Sequence, residues 1–419
     1  MSKASLAHRA LALSVVAALA LCLGAALPQV TAEKVADKAD APAIPVPAVQ
    51  ADGKTWLLSR GDSAQTGVAK AKLPDKLVLK WRFHTGEKSG VKATPIIADG
   101  KAFIGALNGL FFAIDLKTGN KLWQFSTEDG PLPKDARPNE KKFADSIEAS
   151  ACYIDGKVFF GAHDGNFYCL DAASGKMLWH FETQDKITAA PNWVKSPDGK
   201  ATWILVGSND ANLYCLDAAT GKEQWKYETG NIINGAPAVA QGVTVFGGCD
   251  GLVHMVNIKD GSKAGEVEIQ DYIAASAAMD GDKVYVGHHG NKFICVDLTT
   301  RKITWQFGKR DFPFMASAAL TKELVIFGGQ DRRVHALTHA GEEKWEFRSR
   351  GQFNSSPVVV GERVILGCDD GRLYMLDLKS GDEVWNYEVG QPVAGSPAVV
   401  DGLVLVGSDD GYVYAFGAE

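Results

Sequence analysis

"GCDDGRLYMLDLKSGDEVW", Gly367 to Trp385, holds two turn signals, a short strand ending in Leu-Asp and a tryptophan within one stretch. Slightly altered, it returns as "GALNGLFFAIDLKTGNKLW" (Gly105 to Trp123), "GAHDGNFYCLDAASGKMLW" (Gly161 to Trp179) and "GSNDANLYCLDAATGKEQW" (Gly207 to Trp225). A looser copy, "GHHGNKFICVDLTTRKITW", runs from Gly287 to Trp305. The spacing is about 40 residues, a period at which stacked units share one core. Each unit opens on a small-residue step, such as "ATP" at Ala93, "ASA" at Ala149, "GAP" at Gly235 or "SSP" at Ser355. A strand and a turn follow, often Asp-Gly as at Asp99-Gly100 and Asp401-Gly402, pairs suited to the positive φ of tight hairpins.

Next comes a run such as "VFFG" or "VILG", apolar at successive positions, which marks a strand buried on both faces. A second turn, a third strand ending in Leu-Asp, a Thr-Gly or Ser-Gly turn and a tryptophan strand complete the unit. Four antiparallel strands stacked face to face with their neighbours form a propeller blade. The last unit stops after its third strand at Glu419, whereas "KLVLKWRFHTG" (Lys76 to Gly86) is a tryptophan strand with no unit before it. Joining them completes one blade. The expected fold is all-β: an eight-bladed β-propeller of four-stranded antiparallel blades over 76–419, closed by the N-terminal strand in the C-terminal blade.

In this frame Trp81, Trp123, Trp179, Trp225, Trp305, Trp345 and Trp385 are docking residues between blades. A buried indole covers on the order of 150–250 Å², an upper-bound transfer term of roughly 4–6 kcal/mol. Gly265 takes the tryptophan's place in one unit, so the seam beside it is expected to be the weakest. Cys169, Cys215 and Cys295 share one repeat position that Met or Ala fills elsewhere, which reads as apolar filling rather than disulfide or metal chemistry. His254 and His335 align with Tyr168, Tyr214, Tyr374 and Tyr414 and belong to the same structural ladder.

The flanks carry a different signal. Lys3 and Arg9 precede the apolar run Leu11 to Leu27 and a small-residue stretch ending at Ala32, so 1–32 reads as a secretory signal. Cys22 follows Leu21 where lipid-modification signals need a small residue, so no lipid anchor is expected there. An Ala/Pro-rich linker, 33–52, and an extension packing on the propeller, 53–75, follow. Removing the signal takes the formal charge from −6 to −8, which argues against a nucleic-acid partner. The chain is expected to be exported, periplasmic and monomeric.

These residues resemble the pyrroloquinoline-quinone (PQQ) type propeller repeat, whose docking segment runs from a small residue through Asp, Thr-Gly and Lys to Trp; "CLDAATGKEQW" (Cys215 to Trp225) matches best. The resemblance covers 76–419 and implies one of two roles. Quinone-dependent dehydrogenases carry longer insertions and often an adjacent cysteine pair, which this sequence lacks. Non-catalytic propellers of the BamB-type outer-membrane assembly factor branch are similar in size and in their sparse decoration.

For the enzyme alternative, Glu148, Asn234 and Asp271 fall on the face that carries the inter-blade loops and second-to-third turns. Oxygen ligands of this kind suit calcium, and one carboxylate would serve as general base beside PQQ. His163, His288, His289 and Cys249 come from three blades without ligand spacing and are not expected to bind a metal. On the later blades Tyr272, Arg310, Phe312, Phe314, Arg350 and Phe353 combine aromatic and Arg side chains, the mixture enriched at protein interfaces. An insertion, 127–148, extends that face; another, 192–203, sits opposite, where Trp193 and Trp203 are placed to pair across a hairpin. No nucleophile–base pair, phosphate loop or zinc signature is present. The sequence thus favours an exported scaffold without cofactor or metal that binds a protein partner in the cell envelope and meets membranes only through that partner. A PQQ–calcium dehydrogenase and a carbohydrate or small-ligand binding propeller are the alternatives.

Overall fold

Short apolar runs bounded by glycine turns fold as strands here, and the strands associate in fours. The computed structural model describes residues 53–86, 89–132 and 141–419; the signal and linker lie outside them. Eight four-stranded antiparallel blades follow one another along the chain, and the short strand Val68–Ala69 adds a fifth, parallel strand to one of them. Blade 1 comprises Ile96–Ala98, Lys101–Gly105, Leu110–Asp115 and Lys121–Ser126. Blades 2 to 6 begin at Cys152, Asn192, Ala238, Ala278 and Ala319. Blade 7, which holds the opening stretch, comprises Val358–Val360, Arg363–Gly367, Arg372–Asp377 and Glu383–Glu388. Blade 8 takes three strands from the C-terminal end, and its outer strand is Val78–His84, antiparallel to Tyr412–Gly417. The ring therefore closes through the N-terminal strand, as the sequence implied. First strands of neighbouring blades lie side by side around the axis, and the outermost strands present alternating charged residues, which protects their edges.

Glycine dictates how the blades meet. A Cβ placed on Gly119, Gly175, Gly221, Gly261, Gly341 or Gly381 would come 2.5–2.8 Å from the indole of Trp81, Trp123, Trp179, Trp225, Trp305 or Trp345 of the preceding blade. Each indole Nε1 donates to a backbone carbonyl of the same turn, at 2.9–3.3 Å. Trp385 meets blade 8 differently: it packs edge-on against Phe416, ring centroids 5.7 Å apart. At the seam after blade 4 the pattern is exchanged. Gly265 replaces the tryptophan and Arg301, at φ 56°, replaces the docking glycine. The Arg301 guanidinium fills the indole's place, donating to Ala264 O at 2.8 Å.

The ladder is visible as a repeated side-chain bond. Tyr214 and Tyr374 donate to Asp210 and Asp370 at 2.7 Å, and Tyr168 and Tyr414 donate to Asp164 and Asp410. His254 and His335 make the same contact with Asp250 and Asp331 at 3.0 and 3.1 Å. The six cysteines of the described residues are free thiols.

The segment 53–72 forms a hoop inside the ring. It bonds in turn to blade 8 (Asp401 N to Gly53 O, 2.8 Å), blade 1 (Ile97 N to Trp56 O, 2.8 Å), blade 2 (Tyr153 N to Leu57 O, 3.0 Å) and blade 3 (Asn192 Nδ2 to Ser63 O, 2.7 Å). It continues to blade 4 (Val239 N to Ser63 O, 2.7 Å), blade 5 (Met279 N to Ala64 O, 2.8 Å) and blade 6 (Leu320 N to Thr66 O, 2.8 Å). Val68–Ala69 then pairs in parallel with blade 7, and Gly402 N donates to Lys72 O at 2.7 Å on returning to blade 8. Inner-strand N–H groups that face the axis thus find acceptors that no neighbouring strand supplies.

Candidate functional site at the propeller mouth

Each second strand carries a glycine at its last or next-to-last position, because the loop into the following blade crosses it there. A Cβ on Gly105, Gly161, Gly207, Gly247, Gly287, Gly328, Gly367 or Gly407 would lie 2.1–2.5 Å from Ile147, Ile187, Ile233, Ile273, Phe314, Phe353, Val393 or Val91. These eight anchors are at most 2% exposed. Phe314 and Phe353 are therefore corrected from partner surface to core: they are the aromatic versions of an Ile or Val that every other blade buries. Anchor N–H groups donate to the adjoining turn, as Ile147 N does to Ala106 O at 3.1 Å, and turn N–H groups donate back to a loop, as His163 N does to Ser146 O at 2.9 Å. Loops and turns are laced into a collar.

The residue after each anchor lines the mouth: Lys92, Glu148, Thr188 and Asn234 on one half, Ala274, Met315, Asn354 and Ala394 on the other. All eight retain solvent contact. Two residues further on, a floor of small side chains links the blades. Thr94 N donates to Ser150 Oγ and Ala236 N to Ser276 Oγ at 2.8 Å, and Ser317 N donates to Ser356 Oγ and Ser356 N to Ser396 Oγ at 3.0 Å.

The wall's polar groups satisfy one another. Lys92 Nζ lies 3.2 Å from Glu148 Oε1, and His163 Nε2 lies 3.3 Å from Oε2. His163 first, with Lys92 adding to it against partial burial, holds the Glu148 carboxyl at about 2. Asn234 accepts from Thr188 Oγ1 at 2.9 Å and directs Nδ2 to Cys249 Sγ at 3.5 Å. Across the mouth Gln330 donates to Asn354 and Asn354 to Asp369, at 3.0 and 2.7 Å. Burial raises the Asp369 and Asp409 carboxyls, helped at Asp369 by Asp409 and opposed at Asp409 by Lys92.

The structure places Glu148 and Asn234 at equivalent wall positions but leaves Asp271 out. Asp271 precedes an anchor by two residues, and its Oδ1 accepts Tyr272 N at 2.9 Å, a turn-forming role. Its other oxygen sits against Gly290 and His288. Among the described residues no hydrogen bond joins it to Glu148 or Asn234. His163, His288, His289 and Cys249 do not converge either: His163 faces Glu148, Cys249 faces Asn234, and His288 Nδ1 accepts Gly290 N at 3.1 Å. Lys92, Thr188 and Asn354 escaped the sequence reading, although aligning the eight small-residue steps puts all of them in the wall column.

His335, Glu343 and Glu346 offer ligand atoms within 4.8 Å of one another. Cations already occupy these carboxylates. Lys309 pairs with Glu343, Arg333 lies 3.1 Å and Arg310 3.8 Å from Glu346, and the cluster reads as an ion-pair network.

On the rim, Tyr272 and Phe312 are 57% and 46% exposed. Arg310 leans on Asp331 at 3.4 Å. Arg332, Arg348 and Arg350 are exposed, and among the described residues no carboxylate pairs with their guanidinium groups. The insertion is pinned where it is described: Lys142 Nζ bonds Pro131 O, Asp164 Oδ2 and Tyr168 OH at 2.8, 2.7 and 3.1 Å. Trp193 and Trp203 do not pair. They are one register step apart, opposite Ile204 and Val194, and so lie on opposite sheet faces.

Indole-on-glycine seams in a ring of eight blades define a propeller of the PQQ-like repeat class. The profile of the family described as "Outer membrane protein assembly factor BamB" matches residues 74–180, 163–308 and 294–419, and the chain belongs to that family. It is 28% identical over 146 residues to the BamB of Xanthomonas campestris pv. campestris, covering 33% of this chain and 34% of that one. It is 36% identical over 121 residues to the quinohemoprotein alcohol dehydrogenase of Comamonas testosteroni, covering 27% of this chain and 16% of the enzyme. The matched segments thus span about a third or less of these relatives. The solved structure of that enzyme superposes with a TM-score of 0.73 at 16% identity, covering 88% of this chain and 81% of the other. BamB from Moraxella catarrhalis gives 0.63 at 19% identity, covering 82% and 98%. At such identities the superpositions establish the fold.

Proposed function

We propose that this protein is an exported, non-catalytic interaction propeller that engages a protein partner in the cell envelope through the rim of its mouth. The observation that carries this reading is where unpaired chemistry lies. Inside the funnel, Glu148 is paired with Lys92 and contacted by His163, and Asn234 is bonded to Thr188 and Cys249. A calcium site needs several free oxygen ligands converging on one point. An ammonium 3.2 Å from the leading carboxylate and a separate Asp271 do not fit that donor set. On the rim, by contrast, Tyr272 and Phe312 are exposed, and so are Arg332, Arg348 and Arg350, whose guanidinium groups pair with no carboxylate of the described residues, the composition of interface hot spots. Membership of the BamB family supports the same role.

A second reading, a PQQ-dependent dehydrogenase, draws on the likeness to the Comamonas enzyme. One experiment separates the two. The purified chain is titrated with PQQ and calcium and assayed for dye-linked alcohol oxidation, while parent and Tyr272→Ala/Phe312→Ala chains are cross-linked in envelope extracts. The scaffold reading expects no stoichiometric quinone binding and a cross-linked species lost in the double variant. Quinone binding with turnover overturns it.

A further inference from the structure

Blade 6 departs from its neighbours at three points on the mouth face, and each departure is an arginine. In the turn between second and third strands, five blades place a glycine at one left-handed position, Gly109, Gly165, Gly251, Gly371 and Gly411, where blade 6 holds Arg332 at φ 65°. At the mouth end of the outer strand, four blades carry Glu182, Glu228, Glu268 and Glu388, where blade 6 carries Arg348. Two residues further on, Gln184, Gly230, Gln270 and Gly390 give way to Arg350.

The three positions lie together. Ser349, between Arg348 and Arg350, donates its N–H to Arg332 O at 3.1 Å. Arg348 stands directly opposite Arg333 across the two strands. In blade 7 the same pair is Arg372 and Glu388, joined at 2.6 Å. The loop from blade 5, with exposed Phe312, is bonded to the same turn through Gln330 N and Pro313 O at 3.1 Å.

These choices work against the fold. A side chain at positive φ costs backbone energy that glycine avoids, and like charges directly opposite on neighbouring strands repel. The carboxylates of the corner are engaged: Asp331 with His335 and Arg310, Glu346 with Arg310 and Arg333, Asp370 with Tyr374 OH and Arg350 N. Among the described residues none pairs with the guanidinium groups of Arg332, Arg348 or Arg350, all of them exposed. Backbone strain retained in this way gathers where a function uses it.

We propose that this corner of blade 6 docks an acidic, extended segment of the protein partner, whose carboxylates take the guanidinium groups of Arg332, Arg348 and Arg350; the proposal rests on the interaction reading above. Each exposed fork meets its own carboxylate, so no shared cavity is needed, and the planar fork suits the paired oxygens of a carboxylate. Glu346, held between Arg310 and Arg333, makes this kind of contact within the chain itself. An anionic lipid surface is a poorer match. The chain has a formal charge of −6, which a charged plane repels over its whole breadth, whereas a narrow segment meets the corner alone and other charges are screened beyond about 8 Å.

The test is fluorescence anisotropy of the purified chain with a labelled peptide of Asp, Glu and Ser, beside the same peptide carrying Asn and Gln, and sedimentation with phosphatidylglycerol vesicles. The variant Arg332→Gly/Arg348→Glu/Arg350→Gln gives blade 6 the residues of blade 2, Gly165, Glu182 and Gln184. The parent is expected to bind the acidic peptide, less tightly as salt is added, and not the neutral one. The triple variant should bind about tenfold more weakly or worse, yet unfold at or above the parent temperature, because strain and repulsion have been removed. A variant that unfolds at a lower temperature assigns the arginines to stability and overturns the proposal. So do equal binding of the two peptides, parent-like binding by the variant, and binding to vesicles without binding to the peptide. The envelope cross-link separates this proposal from the reading beneath it. A cross-linked species that persists in the triple variant keeps the partner and overturns the acidic segment, whereas peptide binding with no cross-linked species sustains the site and overturns the scaffold reading.

Discussion

Glu148 shows how one wall residue is tuned and how that can be read. Its carboxyl falls from the ordinary 4.5 to about 2, chiefly through His163 and then Lys92. A depressed folded-state value stabilises the fold above about 4.5, and that contribution disappears as the pH falls toward 2. Because the side chain is about a third exposed, solvent screening keeps the effect small, at most about 1 kcal/mol. Glu148→Gln is therefore expected to be slightly less stable than the parent in urea at pH 6, with the difference shrinking from about pH 4.5 downward and gone only below about 2; a difference that persists unchanged would mean the pair contributes through packing. Gly265 and Arg301 test a second coupling. Gly265→Trp alone forces an indole onto the guanidinium and should cost about 1–3 kcal/mol. Arg301→Gly alone opens a hole, though it also releases a positive-φ strain. Together they rebuild the seam the other blades use, so a double-mutant cycle should return a favourable coupling of about 1–3 kcal/mol. Additive losses would show that the two positions do not substitute for one another.

The hoop and the blades differ in how far their sequences announce them. Each blade repeats its punctuation, so the strands, their order and the closing strand Val78–His84 were legible from periodicity. The hoop occurs once, shows no alternation, and bonds to partners spread over the whole chain, from Ile97 to Asp401; no local pattern encodes such a path. The anchors are an intermediate case. Phe314 and Phe353 looked like surface because they sit in Arg-rich loops, and only the column containing Val91, Ile147 and Ile187 reveals them as core. The wall was half legible: Glu148 and Asn234 stood out by charge and polarity, while Asp271 lies three residues before the wall position of its blade, Ala274. If the hoop is what satisfies the inner strands, a chain beginning at Leu73 should lose hydrogen-exchange protection at Ile97, Tyr153, Val239, Met279, Leu320 and Val359, whose N–H groups it accepts. Each unsatisfied buried donor costs about 1–3 kcal/mol unless water reaches it, so Tm should fall by several degrees or more. Unchanged protection at these six amides would assign the hoop a passive role.

A closed ring distributes strain, so its first opening is set by its weakest seam. Six seams carry an indole on a docking glycine with a bond to the turn carbonyl. The seam between blades 7 and 8 keeps the indole, packed on Phe416. The seam between blades 4 and 5 has only the Arg301 side chain, whose bond to Ala264 O imitates the indole's but whose slim stem buries less apolar surface. The loss, set against roughly 4–6 kcal/mol for a buried indole as an upper bound, outweighs one retained hydrogen bond of about 1 kcal/mol. Local opening follows such differences, since sub-global units exchange according to their own free energies. Native-state hydrogen exchange should therefore find the outer strand of blade 4, Lys263–Glu268, exchanging ahead of Glu223–Glu228 and Glu383–Glu388 in blades 3 and 7. Fraying at the closure, where strands distant in sequence pair, predicts the opposite order, with Val78–His84 opening from Tyr412–Gly417 first. If Lys263–Glu268 proves as protected as its counterparts, the arginine is an adequate substitute for tryptophan, and ring stability rests on the hoop and the collar rather than on the seams.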